Sequence, residues 1–189
     1  CKLLPQSSAS WSLTRYDCRV NVNLAYGRGR LPVNFPDSRT TVLEPTYVPG
    51  LPDEASAIKH ALRQPLGTRP LHQLVSKDQT VAISVCDITR PMPSHTLLPV
   101  LLGELAHVPD DHIVIAVATG THRACTRSEL VEMLSEPIVD RYHIVNHDAF
   151  NEGNLVDLGQ VDADIPVWLN RHWARADVRM TTGFVEPHF

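Results

Sequence analysis

The chain reads as an α/β protein: a mostly parallel sheet flanked by helices, with an N-terminal β-hairpin region. Three observations predict this. Short apolar runs rich in β-branched residues recur at Val81–Cys86, Ile113–Ala118 and residues 142–146, and amphipathic stretches separate them. That strand–helix–strand–helix–strand order calls for right-handed crossovers and parallel pairing. Every candidate catalytic group also falls just past the end of such a run. Asp87 and Arg90 follow the first, His122 the second, His147 the third, and His188 a further apolar stretch at 178–182. In an open parallel sheet the carboxyl ends of the strands share one edge, and ligands bind in the crevice there.

Residues 1–19 show no clear periodicity and are expected to be a poorly ordered leader, with residues 20–189 forming a single α/β domain. Residues 20–24 alternate as a short strand should, Tyr26-Gly-Arg-Gly-Arg30 makes a tight hairpin turn, and residues 31–35 return. Residues 41–46 are expected to be a third strand. Prolines at 32, 36, 45, 49 and 52 mark this stretch as edges and turns rather than central sheet. A helix is predicted over 53–62, with Asp53 capping it and Ala57, Ile58, Ala61 and Leu62 on one apolar face. Pro65 stops it, and a second short helix is expected within 70–77.

The regular part begins at Val81, whose run has the composition of a buried parallel strand. Ser94 is expected to cap a helix carrying Leu97, Leu98, Leu101, Leu102 and Leu105. Thr126-Arg-Ser-Glu129 matches a capping box, so a helix should run through Leu130, Val131 and Leu134. Short strands are predicted at 155–158 and 166–169, a short helix at 170–176, and a last strand at 178–182.

Composition narrows the function classes. Of 189 residues, 43% are apolar and 20% charged, as in an ordinary globular protein. The net charge of −4 gives no electrostatic case for nucleic acid or an anionic membrane as partner. No apolar run approaches the length of a bilayer span. The four cysteines, Cys1, Cys18, Cys86 and Cys125, have no CxxC spacing and do not form a disulfide framework, so the cytoplasm is the expected compartment. Cys86 is expected to be a small buried hydrophobe. A cysteine in first position fits a fragment better than an intact translation product.

Four loops carry candidate chemistry. In Asp87-Ile-Thr-Arg90-Pro91, the fixed φ of Pro91 also restricts Arg90, and a guanidinium held there can grip a carboxylate or phosphate. An ordinary surface Asp–Arg pair would look the same. In Ala118-Thr119-Gly120-Thr121-His122-Arg123, small residues let backbone N–H groups approach an anion, and His122 is a candidate general acid or base. A loop histidine without a role is the plain alternative. His147, in Asn146-His147-Asp148, reads better as structural, paired with Asp148 or a backbone group. The fourth loop, Gly183-Phe-Val-Glu186-Pro187-His188-Phe189, ends on an acid, a histidine and a bare aromatic, which is the pattern of a chain that continues. The histidines at 60, 72, 95, 107, 112, 143 and 172 show no metal-ligand spacing, so no metal site is assigned. Walker and GxSxG motifs are absent, and no nucleophile accompanies His122 to make a hydrolase.

These segments, in this order, resemble the nickel-pincer-dependent lactate racemase family. The likeness runs from about Asn21 to Phe189 through Tyr26-Gly-Arg-Gly, Asp87-Ile-Thr-Arg-Pro, Ala118-Thr-Gly-Thr-His-Arg, Asn146-His-Asp, Pro166-Val-Trp-Leu-Asn and Glu186-Pro-His-Phe. The resemblance implies racemisation or epimerisation of 2-hydroxy acids. The carbon-bound hydrogen of such an acid is hardly acidic beside an anionic carboxylate, and removing it as hydride avoids a carbanion. It implies a nickel-pincer nucleotide, a pyridinium mononucleotide bearing nickel, as hydride acceptor. Two facing histidines would serve the hydroxyl proton of the two enantiomers. His122 and His188 take those places, Arg90 that of the carboxylate clamp, and Asp87, Thr119, Gly120 and Thr121 that of a cofactor-side lining.

The family's covalent lysine follows shortly after the Glu-Pro-His-Phe stretch, and its nickel-ligating histidine and second domain lie beyond. None of these is in the sequence. The chain is therefore expected to be the N-terminal half of a two-domain isomerase, inactive alone, with the C-terminal domain as its missing partner. A non-catalytic small-anion-binding or interaction domain of the same fold is the competing reading.

Overall fold

The computed structural model describes residues 19–44, 46–162 and 164–185. Two compact units divide the chain, Cys1–Gly50 and Leu51–Phe189. In the first, β1 (Arg19–Tyr26) and β2 (Gly29–Pro36) pair antiparallel in register Tyr26↔Gly29. Only Gly27 and Arg28 join them, and Gly27 takes φ +55°, the left-handed conformation that two-residue hairpin turns need. A 3-10 turn at Asp37–Arg39 follows. The third strand expected at 41–46 is not there: residues 41–44 and 46 carry no regular structure. Leu43 is 89% exposed and Tyr47 84%, so the alternation in this stretch has no sheet face to bury.

The second unit opens with α1 (Glu54–Arg63), capped as expected by the Asp53 carboxylate accepting from Ser56 N–H at 2.9 Å. The short α2 (Leu71–Leu74) leads to β3 (Val81–Cys86). Then come α3 (Ser94–Glu104), β4 (Ile113–Ala118), α4 (Arg127–Leu134), α5 (Glu136–Arg141) and β5 (His143–Asn146). Ser94 does not cap α3. Pro93 holds the cap position and Ser94 is already the first helical residue. The capping box of α4 forms in full, with Glu129 N–H bonding the Thr126 hydroxyl and Thr126 N–H bonding the Glu129 carboxylate.

Strands β3, β4, β5 and the final β8 (Val178–Thr181) form one four-stranded, all-parallel sheet in the order β5-β4-β3-β8. Between β5 and β8, β6 (Leu155–Val161) and β7 (Ile165–Asn170) make a separate antiparallel hairpin, and α6 (Arg171–Arg175) follows.

Strand period decides how the sheet is covered. Odd-numbered residues of the two central strands (Val81, Ile83, Val85, Ile113, Ile115, Val117) share one face and pack with Leu98, Leu101, Leu105, Leu130, Leu134 and Ile138 of the helical layer. Burying each such aliphatic side chain stabilises the fold by about 1.5–3 kcal/mol. The other face carries small residues, Ala82, Ser84 and Ala116. The right-handed crossover rule puts the return connection there, and α6 contacts β3 and β4. Cys86 is half-buried rather than buried, whereas Cys125 is buried; both are free thiols. Among the described residues no helix is long and apolar enough to cross a membrane.

Candidate active site

The sheet order creates the site. From β3 the chain steps outward to β4 and β5, then returns to lay β8 on the other side of β3. At such a reversal the loops leaving the carboxyl ends diverge and open a crevice. The loops after β3, β4 and β5 there carry Asp87, residues 119–122 and His147. Thr182, next after β8, holds the same edge through N–H and hydroxyl bonds of 3.0 and 2.8 Å to the Ser84 carbonyl.

Asp87 is the first residue past β3 and only 5% exposed. Its Oδ1 accepts from the Thr89 N–H at 3.2 Å and the Thr89 hydroxyl at 2.6 Å, a turn that aspartate favours because its side chain mimics a backbone carbonyl. The Arg90 N–H closes the same turn on the Asp87 carbonyl at 3.2 Å, and Arg90 is exposed. Oδ2 meets Nδ1 of His122 at 2.6 Å. Burial alone would raise the Asp87 pKa, but the hydrogen bonds from Thr89 and His122 outweigh it and hold the carboxyl below its usual range. An ionised carboxylate can only accept, so Nδ1 carries a proton, and in the neutral ring the lone pair is on Nε2. The His122 side chain is 54% exposed, so that nitrogen is reachable from solvent.

The loop bearing His122 is built to stay in place. Its N–H returns to the Thr119 carbonyl at 2.9 Å. Thr119 is 2% exposed, and its hydroxyl donates to the His147 carbonyl, so Thr119 ties the β4 and β5 loops together. Gly120 takes φ +59°, which disfavours any side chain, and an added Cβ would meet nothing within 4 Å. Its backbone therefore lies open at the sheet edge, next to the exposed Thr121. Asn146 fastens the far end of the loop with two hydrogen bonds to Cys125: its Oδ1 accepts from the N–H at 2.9 Å and its Nδ2 donates to the carbonyl at 3.1 Å. His147 is half-buried with Nδ1 at 3.5 Å from the Asn170 amide, a long contact. His188 lies outside the described residues.

The sequence-predicted group is thus brought together in part. Asp87 and His122 touch, Arg90 belongs to the turn that Asp87 begins, and Gly120 and Thr121 directly precede His122 in the chain. The Asp87–His122 bond itself, and the roles of Thr89, Asn146 and Asn170, had no expectation. The Asp-x-Thr spacing of an Asx turn was a readable signal for Thr89. No local pattern announces the other contacts, which span 21 to 35 residues.

A family model described as the lactate racemase N-terminal domain matches residues 26–189. The chain belongs to that family. The lactate racemase of Thermoanaerobacterium thermosaccharolyticum is 31% identical over 175 residues, covering 90% of this chain and 41% of that protein. The lactate racemase of Lactiplantibacillus plantarum is 37% identical over 137 residues, covering 72% of the chain and 32% of that protein. The solved apoprotein structure of the Thermoanaerobacterium lactate racemase matches with a TM-score of 0.74 at 30% identity, over 90% of the chain and 40% of that structure. A Thermotoga maritima protein shares the fold, with a TM-score of 0.55 at 22% identity over 71% of the chain and 34% of its own. This lactate racemase N-terminal domain spans less than half the length of the curated relatives it matches.

Proposed function

We propose that residues 20–189 are the substrate-side half of a two-domain cytoplasmic isomerase that racemises or epimerises a 2-hydroxy acid, lactate or a larger relative. The observation that carries this is the Asp87–His122 pair, a buried carboxylate fixing a reachable imidazole at the carboxyl edge of a parallel sheet. Arg90 is the carboxylate clamp. Its planar guanidinium matches a carboxylate with two parallel bonds and neutralises it. His122 Nε2 takes the proton of the 2-hydroxyl as the carbinol hydrogen departs, and returns it afterwards. Asp87 stabilises the imidazolium so formed and keeps the ring from turning. His188 serves the opposite face for the mirror-image substrate.

The residues fit a nickel-pincer nucleotide in one respect. The open backbone at Gly120 and Thr121 leaves room for an anionic nucleotide beside His122, with Thr119 and Asp87 holding that loop in place. When bound, the group supplies a carbon that accepts hydride. Among the described residues no three His, Cys, Asp or Glu side chains stand close enough to form a metal site by themselves.

The test is to express the parental reading frame through the length of its relatives, together with pincer-nucleotide synthesis enzymes, and follow 2-hydroxy acids by chiral chromatography. Interconversion is expected, and His122→Ala is expected to abolish it without unfolding the protein. Arg90→Ala should chiefly raise the Michaelis constant. Parental rates in His122→Ala would defeat the assignment. A protein that binds hydroxy acids and leaves their configuration untouched would favour the binding-domain reading.

A further inference from the structure

At the opposite edge of the same sheet, where the strands begin, lies a cavity of about 280 Å³. A strand rises about 3.3 Å per residue, so the six residues of β3 put this edge roughly 20 Å from Asp87. Its chemistry comes from three places. His112 ends the 3-10 turn entering β4, His143 starts β5, and Arg171, His172 and Arg175 all lie on α6.

Two buried side-chain nitrogen atoms among the described residues have no hydrogen-bond partner: Nδ1 of His112 and Nε of Arg171. Both residues line this one cavity. The Arg171 guanidinium is held by its Nη2, which donates to the Gly153 carbonyl, so the Nε–H has a set direction. That nitrogen can only donate, and its partner must be an acceptor. The rings of His143 and His172 meet edge to face with centroids 5.2 Å apart.

Arg171 and Arg175 put two positive charges on the cavity wall. Burial, and then the neighbouring His143, Arg171 and Arg175, push the His172 pKa down. Two carboxylates oppose this. Asp111 lines the cavity and is exposed. Asp177, near His112, spends its Oδ2 on the Thr80 N–H and hydroxyl, both at 2.8 Å. Two guanidinium groups and three imidazoles therefore surround a space at the small end of the range for ligand sites. A carboxylate offers acceptors in one plane. A tetrahedral oxyanion accepts from donors that converge from a turn, a strand and a helix.

We propose that this cavity binds a phosphate group, free or as a small monoester, with Arg171 and Arg175 as the charged clamp and His112 and His172 as further donors. The site is independent of the racemase reading, because it shares no residue with the carboxyl edge.

The experiment is calorimetric titration of the whole protein with inorganic phosphate and, in a second arm, glycerol phosphate. Imidazole NMR spectra of histidine-labelled protein are recorded alongside. Saturable binding is expected, with shifts at His112, His143 and His172 and none at His122. Binding in both arms identifies monoesters as ligands, and binding of inorganic phosphate alone restricts the site to the free ion. Arg175→Gln changes an exposed side chain and should weaken binding about tenfold, the effect of one lost charge-assisted bond. His112→Gln should weaken it as well, with the thermal midpoint of each variant confirming that it folds. No saturable binding, or binding undiminished in both variants, would overturn the proposal and leave water as the acceptor. So would shifts confined to His122, which would put phosphate at the other edge.

Discussion

Replacing Asp87 by Asn changes one oxygen to an amide nitrogen and almost no volume. The Oδ1 position can still accept from Thr89, so the amide NH2 must face Nδ1 of His122. That nitrogen then has to accept, and the ring proton moves to Nε2, the atom that must be free to take the substrate proton. The charge-assisted bond lost is worth about 1.5–3 kcal/mol when shielded. His122 is 54% exposed, so solvent screening should reduce the stability cost to about 1 kcal/mol. The catalytic cost should be larger than the stability cost. General base catalysis is worth about 10²–10⁴ in rate, and Asp→Asn behind the histidine of a serine-protease triad costs about 10⁴. The exposure of His122 argues for the lower part of that range, about 10²–10³. Initial rates by chiral chromatography on the complete, cofactor-loaded enzyme measure the first quantity. The nitrogen NMR shifts of His122 report which ring atom holds the proton. An unchanged rate together with an unchanged tautomer in Asp87→Asn would refute the positioning role.

The pH dependence follows with its sign. The Asp87 carboxyl is held below its ordinary 3.8. Its contribution to stability is present in full above that value and is lost as pH falls through the lower folded one. Asp87→Asn should therefore flatten part of the acid limb of the stability curve. Glu104, 6% exposed, is held below its ordinary 4.5 chiefly by the Arg63 hydrogen bond. Glu104→Gln should cost about 1 kcal/mol near neutrality, because Arg63 is half exposed, and the deficit should vanish in acid, as urea midpoints across pH would show. Thr119→Val removes the donor to the His147 carbonyl and should cost about 1–3 kcal/mol by chemical denaturation. Ile83→Ala, at a fully buried position in β3, should cost about 2–5 kcal/mol in the same assay.

The elements best read from sequence are those whose signal is local. The bounds of β3 and β4 follow from apolar β-branched runs with turn residues after them. The Thr126–Glu129 capping box and the Gly27 turn are each specified within a few residues. Local signals also misled. Residues 41–46 have strand-like residues, but strand formation needs a partner and a buried face, and the exposed Leu43 has neither. Ser94 has the chemistry of a cap, yet Pro93 precedes it and the helix has already begun there. The histidines at 112, 143 and 172 carry no spacing motif, so the cavity they line at the amino edge was invisible before folding.

By itself the sequence determined the alternation of strand and helix, the parallel pairing that this alternation requires, and the loops in which reactive side chains sit. Those properties depend on backbone periods and turn chemistry, which act over a handful of residues. Only the tertiary structure decided the strand order β5-β4-β3-β8, that His122 meets the buried Asp87, and that His112, His143 and His172 gather around a cavity at the other edge. Those outcomes depend on which distant segments become neighbours. That choice is made by the summed burial of whole faces, and no short stretch of residues records it.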